Sequence, residues 1–347
     1  MFRRIFLLGA LGLLIVPILN AQTPIQIYGV WHCFSDGCNW FSVPDMTTFD
    51  TDNHWLIDRG NGSPSVNLVV LSFVNPVDLM NLANSSHTKN GIPIGMDAAV
   101  VNYFQSRGVR VMFSIGGIRF VKDWDMALNT NPTQLGINAA NTAKQFNVGM
   151  EIDYEKSSKP NLSGLQQFIS AYRSVLPYDP TGNNFAARLT IDLGNDDLYL
   201  QPLSAYATAH WLTTSSPVLD YANAMVASQK TTVSALENGW AQHVNGITGV
   251  PPLAPARLTG SLWLISGQHN CLTFSSSDQE AAASFVETIP PNGAGTTPGM
   301  LGFMFWAAGC QGQGTGCTYP PTTCEGGMGV AATMFNIPIP MPTLRSQ

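Results

Sequence analysis

The chain has 347 residues, of which 45% are hydrophobic and only 11% are charged, with a formal net charge of −6. This length and composition exclude a small disulfide-stapled domain and an intrinsically disordered chain. The sequence contains no run of Lys and Arg, which argues against a nucleic-acid partner held through phosphate contacts.

The N-terminus has the layout of a secretory signal peptide. Two arginines precede an apolar run over residues 5–19, and Ala21 supplies a small residue at the expected cleavage point. A membrane anchor is the alternative, but the run is shorter than the roughly 20 residues that cross a bilayer. We therefore expect residues 1–21 to be removed. The remaining chain, 22–347, is expected to be one extracellular domain (periplasmic if the host is bacterial) with no membrane association.

Apolar, β-rich runs predict eight strands, at Ile25–Val30, Val66–Val74, Val109–Ser114, Val148–Tyr154, Ala187–Leu193, Leu219–Ala227, Leu258–Ile265 and Met300–Ala307. Helical spacing predicts helices between most of them, at Asp97–Arg107, Thr133–Phe146, Leu162–Leu176, Pro202–Leu212, Thr231–His243, Asp278–Ile289 and Gly327–Phe335. The first connection, from residue 31 to residue 65, shows no clear helix and is predicted to be a long loop. This alternation indicates an α/β fold, and a single-domain (β/α)8 TIM barrel is the economical architecture. A doubly wound open sheet is the alternative, which the lack of a glycine-rich phosphate fingerprint after the first strand weakens.

The cysteines of an exported protein are candidates for disulfides, and this chain has six: Cys33, Cys38, Cys271, Cys310, Cys317 and Cys324. The sequence contains no Cys-x-x-Cys pair, so disulfides are favoured over a zinc site, while their pairing stays open. The cysteines follow the first, seventh and eighth predicted strands, which are neighbours in a closed barrel. We therefore expect disulfides to staple the loops of the C-terminal face, where such barrels carry their active sites.

The fourth predicted strand carries three acids at alternate positions. Glu151, Asp153 and Glu155 share one face of the strand, and apolar side chains occupy the other face. In a barrel these acids would line the interior and rise towards the catalytic rim. Carboxylates this close together cannot all ionise cheaply, so the stack is expected to keep a shared proton, as a general acid requires. A solvated edge strand and a metal site are the alternatives. The first conflicts with the burial of parallel strands on both faces, and the second lacks a histidine among the acids.

Two motifs of the chain resemble those of family 18 glycoside hydrolases, the group of chitinases and endo-β-N-acetylglucosaminidases. Members of this family are (β/α)8 barrels whose third strand ends in Ser-x-Gly-Gly and whose fourth ends in Asp-Gly-x-Asp-x-Asp-x-Glu. Here the third predicted strand ends in Ser-Ile-Gly-Gly at Ser114–Gly117, and the fourth reads Val-Gly-Met-Glu-Ile-Asp-Tyr-Glu at Val148–Glu155. The resemblance implies cleavage of β-1,4 bonds next to N-acetylglucosamine in chitin, chito-oligosaccharides or an N-glycan core, with no cofactor and no metal.

The resemblance also implies a role for individual residues. Glu155 corresponds to the general acid/base that protonates the glycosidic oxygen. Asp153 corresponds to the residue that turns towards the substrate's 2-acetamido group, which itself attacks the anomeric carbon and forms an oxazolinium intermediate. Glu151 corresponds to the inner acid that exchanges a proton with Asp153, and Ser114 to the serine that supports the array. Trp306 corresponds to the tryptophan that forms the floor under the reacting sugar.

The sequence departs from the family pattern at three positions. Val148 replaces the first acid of the fourth-strand motif, and Glu151 is one methylene longer than the family's inner aspartate. On the sixth strand the family has Met-x-Tyr-Asp, and the tyrosine that holds the acetamido carbonyl corresponds to Ala227 here. Loss of one such contact costs about 10²–10³ in rate. The substrate-binding candidates on and after this strand are Met225, Tyr221, Asn223 and Gln229.

Two functions follow from this pattern. The first is a secreted hydrolase that uses a substrate-assisted retaining mechanism with Glu155 as general acid/base. The second is a chitinase-like lectin that binds chito-oligosaccharides with weak or no turnover, in keeping with Val148 and the missing tyrosine. The partner in both cases is a glycan that contains N-acetylglucosamine, and a monomer is expected. The choice between chitin and N-glycan, and between endo and exo action, depends on loops whose shape the sequence leaves open.

Overall fold

The computed structural model describes residues 27–33, 38, 40–58, 62, 64–225, 230, 232–263, 276–288 and 299–308. Eight strands in this part of the chain are β1 (Ile27–His32), β2 (Leu68–Val74), β3 (Arg110–Gly116), β4 (Gly149–Asp153), β5 (Leu189–Leu193), β6 (Ala222–Ala224), β7 (Leu258–Trp263) and β8 (Gly302–Trp306). Each strand pairs in parallel with the next, and β8 pairs with β1 to close a barrel. The predicted (β/α)8 architecture is therefore confirmed.

The described helices are α1 (Met46–Ile57), α2 (Pro76–Asn81), α3 (Ala98–Gln105), α4 (Val121–Thr130), α5 (Pro132–Phe146), α6 (Leu162–Val175), α7 (Gln201–Tyr206), α8 (Val233–Asn245) and α9 (Ser276–Thr288). A π-helical segment, Ala207–Trp211, follows α7, and short 3-10 helices occur at Ile118–Phe120, Phe185–Ala187 and Pro255–Arg257. A small antiparallel hairpin joins Thr88–Lys89 to Ile92–Pro93 ahead of α3. Over the residues described, the helices include none with the length and apolar character needed to span a bilayer.

Capping residues at both ends of helix α5 determine where the following strand, β4, begins. The Asn131 side chain caps α5 by accepting a hydrogen bond from the Gln134 N–H at 3.0 Å, and Pro132 occupies the first turn. The helix ends at Asn147, whose φ of 53° is left-handed, a conformation that Asn adopts more easily than most residues. The chain enters β4 two residues later, so the end of α5 determines where the acids of this strand lie.

The first βα connection contains a helix that the apolar periodicity of the sequence does not predict. Helix α1 begins after Asp45, whose carboxylate accepts hydrogen bonds from the backbone N–H groups of residues 47 and 48. Its buried face includes Asn53, whose side-chain oxygen lies 2.9 Å from Nε2 of His32 on β1. The prediction of a helix-free loop is wrong because buried polar residues interrupt the apolar periodicity on which it depended.

The apolar residues form two layers, and β4 contributes to both sides of the barrel wall. Met150, Ile152 and Tyr154 pack into the large core between the strands and the helices. A smaller cluster fills the barrel interior and consists of Ile27, Trp31, Leu68, Val70, Met112, Tyr221, Leu301 and Met304. The alternate residues of β4, Glu151 and Asp153, are buried on the inner side. The predicted alternation of apolar and acidic faces is therefore confirmed for this strand.

One of the expected disulfides lies in the described part of the chain. Cys33 and Cys38 are bonded directly after β1, at the C-terminal end of the barrel, and pack with Phe73. The other four cysteines, the predicted signal peptide and the predicted helix Gly327–Phe335 lie outside the described residues.

Candidate active site

Glu151 is fully buried at the centre of the barrel and is held by side chains from other strands. Trp31 of β1 donates its indole N–H to Oε1 at 2.9 Å, and Asn223 of β6 donates its amide to Oε2 at 2.7 Å. The Thr259 hydroxyl of β7 donates to the amide oxygen of Asn223 at 2.7 Å, which orients that amide. Ser114 lies opposite Glu151 in the β3–β4 register, and its side chain is fully buried.

A fourth acid, Asp192 of β5, belongs to this cluster and was not predicted. Asp192 is 1% exposed and forms a side-chain hydrogen bond with Glu151. Two carboxyl groups share a hydrogen bond only if one of them carries a proton. A signal for Asp192 was present in the sequence, because Thr190 and Asp192 place polar side chains at alternate positions of a buried strand, the same pattern as the acids of β4.

Burial and like charges determine whether the cluster holds a proton. Burial raises the pKa of Glu151, and the hydrogen bonds that its carboxylate accepts act in the opposite direction. Burial raises the pKa of Asp192 well above its usual range, and the charges of Glu151, Asp153 and Glu155 raise it further. Both shifts act in the same direction and favour a protonated carboxyl group within the pair formed by Asp192 and Glu151.

Asp153 ends β4 beside the Gly-Gly pair that follows the β3 serine. Its carbonyl oxygen accepts hydrogen bonds from the Gly117 N–H at 2.9 Å and the Trp124 indole N–H at 3.0 Å. Gly116 lies opposite Asp153 with a φ of 118°, and a Cβ at this position would lie 2.0 Å from that carbonyl oxygen. Only glycine permits this approach. The third residue of the family's third-strand motif, Gly116, thus has a steric role in placing Asp153.

Glu155 lies two residues beyond β4, partly exposed at the C-terminal end of the barrel. Tyr199, in the connection between β5 and α7, donates its hydroxyl to Glu155 Oε2 at 3.0 Å. The residues on either side of Glu155 are held from α4, because Asp125 accepts hydrogen bonds from the Tyr154 hydroxyl and the Lys156 ammonium group. Glu155 is thus held through its carboxylate and through both chain neighbours.

The connection that carries Tyr199 is itself anchored. The Asp196 carboxylate accepts a backbone hydrogen bond from Tyr199 at 3.4 Å and pairs with Lys230 at 2.9 Å. The next residue, Asp197, pairs with His243 of α8 at 2.9 Å, and both side chains are fully buried. His243 Nε2 also donates to the backbone carbonyl of residue 194 at 2.7 Å. Tyr199 is therefore presented by a segment tied to the barrel by polar contacts, and its role was missed because no motif covers this connection.

Aromatic rings lie beside the acids. Trp306, at the end of β8, is partly exposed and meets Trp31 edge-on, with ring centroids 6.3 Å apart. The Phe73 ring of β2 lies 5.9 Å from Trp306. Because Trp31 also bonds Glu151, these rings connect the buried acids to the rim. The partly exposed Trp306 offers the kind of apolar face on which the C–H face of a sugar packs.

Tyr221 and Met225, the other predicted residues of the β6 region that the structure describes, pack against apolar side chains. Tyr221 is buried in the barrel interior, where its hydroxyl donates to Met112 Sδ at 3.8 Å. Met225 follows β6, is half-buried and packs against the core between strands and helices. Gln229 and Ala227 lie outside the described residues. Asn223 is the residue of β6 that contacts the acid cluster. Within the ranges that the structure describes, no group of three or more His, Cys, Asp or Glu side chains is arranged to hold a metal ion.

Comparison with solved structures finds this architecture in chitinases. A GH18 chitinase from Pseudoalteromonas aurantia has a TM-score of 0.53 at 10% identity, covering 83% of this chain and 96% of that one. A family GH18 chitinase from Chromobacterium violaceum has a TM-score of 0.51 at 12% identity, covering 90% and 84%. A chitinase from Rhizomucor miehei has a TM-score of 0.50 at 11% identity, covering 77% and 94%. No family model and no curated protein matches the sequence. The chain therefore has the barrel fold of the family 18 chitinases, which confirms the resemblance at the level of fold.

Proposed function

We propose that the protein is a chitinase-like glycoside hydrolase that cleaves β-1,4 bonds next to N-acetylglucosamine in chitin, chito-oligosaccharides or an N-glycan core. One observation carries the proposal: Glu151, Asp153 and the partly exposed Glu155 rise in order towards the C-terminal end of a barrel shared with chitinases. Active sites of such barrels lie at this end, and the outermost acid is the one that a substrate reaches.

In the proposed reaction Glu155 gives its proton to the glycosidic oxygen as the bond to the anomeric carbon breaks. The carbonyl oxygen of the substrate's own acetamido group attacks that carbon and forms the oxazolinium intermediate. Asp153 accepts a hydrogen bond from the acetamido N–H, which gains positive charge in this step. Glu155 then takes a proton from a water molecule, which opens the oxazolinium ring and leaves the anomeric configuration retained. Trp306 provides the apolar floor beneath the reacting sugar.

Binding without turnover is the second candidate function, and two observations favour it. Val148 stands where the family motif has its first acid, and it is buried in the apolar core between strands and helices. On β6, the side chain that reaches the acids is the amide of Asn223, which is committed to Glu151 at 2.7 Å. A lectin would retain affinity for chito-oligosaccharides and release no product.

The test is hydrolysis of chromogenic di-N-acetylchitobiose and of a high-mannose glycopeptide by the wild type and by Glu155→Gln. Glu237→Gln, on α8, is the matched control. We expect product from the wild type and the control, and at least a 100-fold loss in Glu155→Gln, within the range that general acid catalysis contributes. Equal rates in the wild type and Glu155→Gln would discard the hydrolase. Calorimetric binding of N-acetylglucosamine oligomers with no product would establish the lectin instead.

We also propose that residues 1–21 direct secretion and are then removed. The charged, apolar and small-residue order of this segment supports the proposal. Expression of the full chain followed by N-terminal sequencing of the protein in the medium is the test. A mature chain that begins at Gln22 is the expected result, and an intact N-terminus retained in the membrane fraction would refute it.

A further inference from the structure

Asp192 occupies a central place in the acid cluster although it lies on a different strand from the β4 motif. The β4–β5 register pairs Glu151 with Thr190 and Ile152 with Ile191, so Asp192 lies one residue further towards the rim, at the level of Asp153. The β5–β6 register pairs Asp192 with Asn223, the residue that donates to Glu151. Asp192 therefore lies between the strand that carries the acids and the strand that orients the innermost acid.

The surroundings of Asp192 and Glu151 limit how much negative charge these two buried side chains can carry. The charged groups that face Asp192 are Glu151, Asp153 and Glu155, all from β4, while its neighbour on β6 is a neutral amide. Among the described residues, neither Asp192 nor Glu151 forms a salt bridge with Lys, Arg or His. Two adjacent buried carboxyl groups with no cation retain one charge between them rather than two, because each ion would lose its hydration and repel the other.

We propose that Asp192 is a positioning residue that keeps one proton in a buried pair with Glu151 and so leaves a single negative charge beneath Asp153. This inference rests on the proposed function. The Asp192 hydroxyl donates to Glu151 and the proton stays within the pair, so no bond to substrate is involved. With one like charge fewer below it, Asp153 accepts the acetamido N–H as an anion. The stack of acids thus continues from β4 to β5, and its proton is held on the neighbouring strand.

The first arm of the test is independent of catalysis. The unfolding equilibrium constant is measured by denaturant from pH 4 to pH 8 for the wild type, Asp192→Asn and the control Asp123→Asn on α4. An exposed Asp in the unfolded chain has a pKa of about 3.9, so unfolding of the wild type releases the Asp192 proton above that pH. Its unfolding constant should therefore rise with pH more steeply than that of Asp192→Asn, by up to about tenfold per pH unit. The control should follow the wild type. Identical slopes for the wild type and Asp192→Asn would overturn the proposal.

The second arm measures hydrolysis. The Asn amide of Asp192→Asn still donates to Glu151, so kcat/KM is expected to stay within about tenfold of the wild type while its pH profile changes shape. Asp192→Ala leaves Glu151 without this donor and should lose kcat by a larger factor. If Asp192→Asn does not fold, infrared spectroscopy of the wild type at pH 7 replaces the first arm, and absence of a protonated-carboxyl band overturns the proposal. A wild type without hydrolysis refutes the proposed function alone, because the stability and infrared measurements still report the Asp192 proton.

Discussion

The hydroxyl of Tyr199 donates a hydrogen bond to Oε2 of Glu155 across 3.0 Å, joining the β5–α7 connection to the proposed proton donor. Once Glu155 has given up its proton, its carboxylate is charged, and a donor to a charged group stabilises it more than a donor to a neutral one. Tyr199→Phe is therefore expected to lower kcat about tenfold, which corresponds to the lower part of the range for such hydrogen bonds. Steady-state kinetics on chromogenic di-N-acetylchitobiose provide the measurement.

The matched control for Tyr199→Phe is Tyr178→Phe, which removes a hydroxyl from the segment between α6 and β5. This control should keep the wild-type kcat. A Tyr199→Phe enzyme with unchanged kcat would show that the hydroxyl has no part in positioning Glu155.

Asn223→Ala tests the support of the innermost acid. The amide of Asn223 is the donor to Glu151 Oε2 at 2.7 Å, and its loss leaves a buried carboxylate oxygen without that partner. We expect the free energy of unfolding to fall by about 1–3 kcal/mol and kcat to fall with it. Chemical denaturation beside the exposed control Asn183→Ala measures the difference. A change no larger than that of the control would contradict the assigned hydrogen bond.

Asp125→Asn tests the clamp on the chain neighbours of Glu155. Asp125 accepts hydrogen bonds from both Tyr154 and Lys156, so its substitution frees the backbone at the proposed acid. The pair with Lys156 is partly exposed, and its contribution to stability is therefore about 1 kcal/mol or less. The expected signature is a kcat lowered about tenfold with little change in melting temperature. Asp123→Asn, on the same helix, should change neither, and a loss of stability without a loss of kcat would assign Asp125 to folding alone.

The burial of His32 leads us to expect a loss of stability at acidic pH. Burial lowers the pKa of this imidazole from 6.5 to about 4, although its hydrogen bond with Asn53 acts in the opposite direction. The folded state thus binds fewer protons than the unfolded state, so its contribution is fully present above pH 6.5 and is lost as pH falls towards 4. At about 1.4 kcal/mol per pKa unit, the loss is about 3 kcal/mol. NMR titration of His32, compared with exposed His54, measures the pKa directly, and a folded-state value near 6.5 would refute the prediction.

The barrel strands and the alternating faces of β4 could be predicted from sequence, because both depend on the order of apolar and polar residues within one segment of the chain. Asp192 was missed because a single acid in Leu189–Leu193 has no local partner, and only the β4–β5 register brings it to Glu151. Tyr199 was missed for a related reason, since its contact with Glu155 depends on the path of a connection. Helix α1 was missed because its buried Asn53 is satisfied by a side chain from another element. Periodicity can mark a polar side chain on a buried strand, as it does at Asp192, but it does not identify the residue that this side chain contacts on another element.

Trp31 contacts both the buried acid Glu151 and the partly exposed ring of Trp306. Its indole nitrogen bonds Glu151, while the edge of its ring meets Trp306. A single side chain thus links the electrostatics of the barrel centre to the stacking surface at its mouth. If the proposed function holds, we expect a substitution of Trp31 to change sugar affinity and acid–base behaviour together. Changes at Trp306 and at Asn223 address the two ends of this link separately, because Trp306 meets the Trp31 ring and Asn223 bonds Glu151.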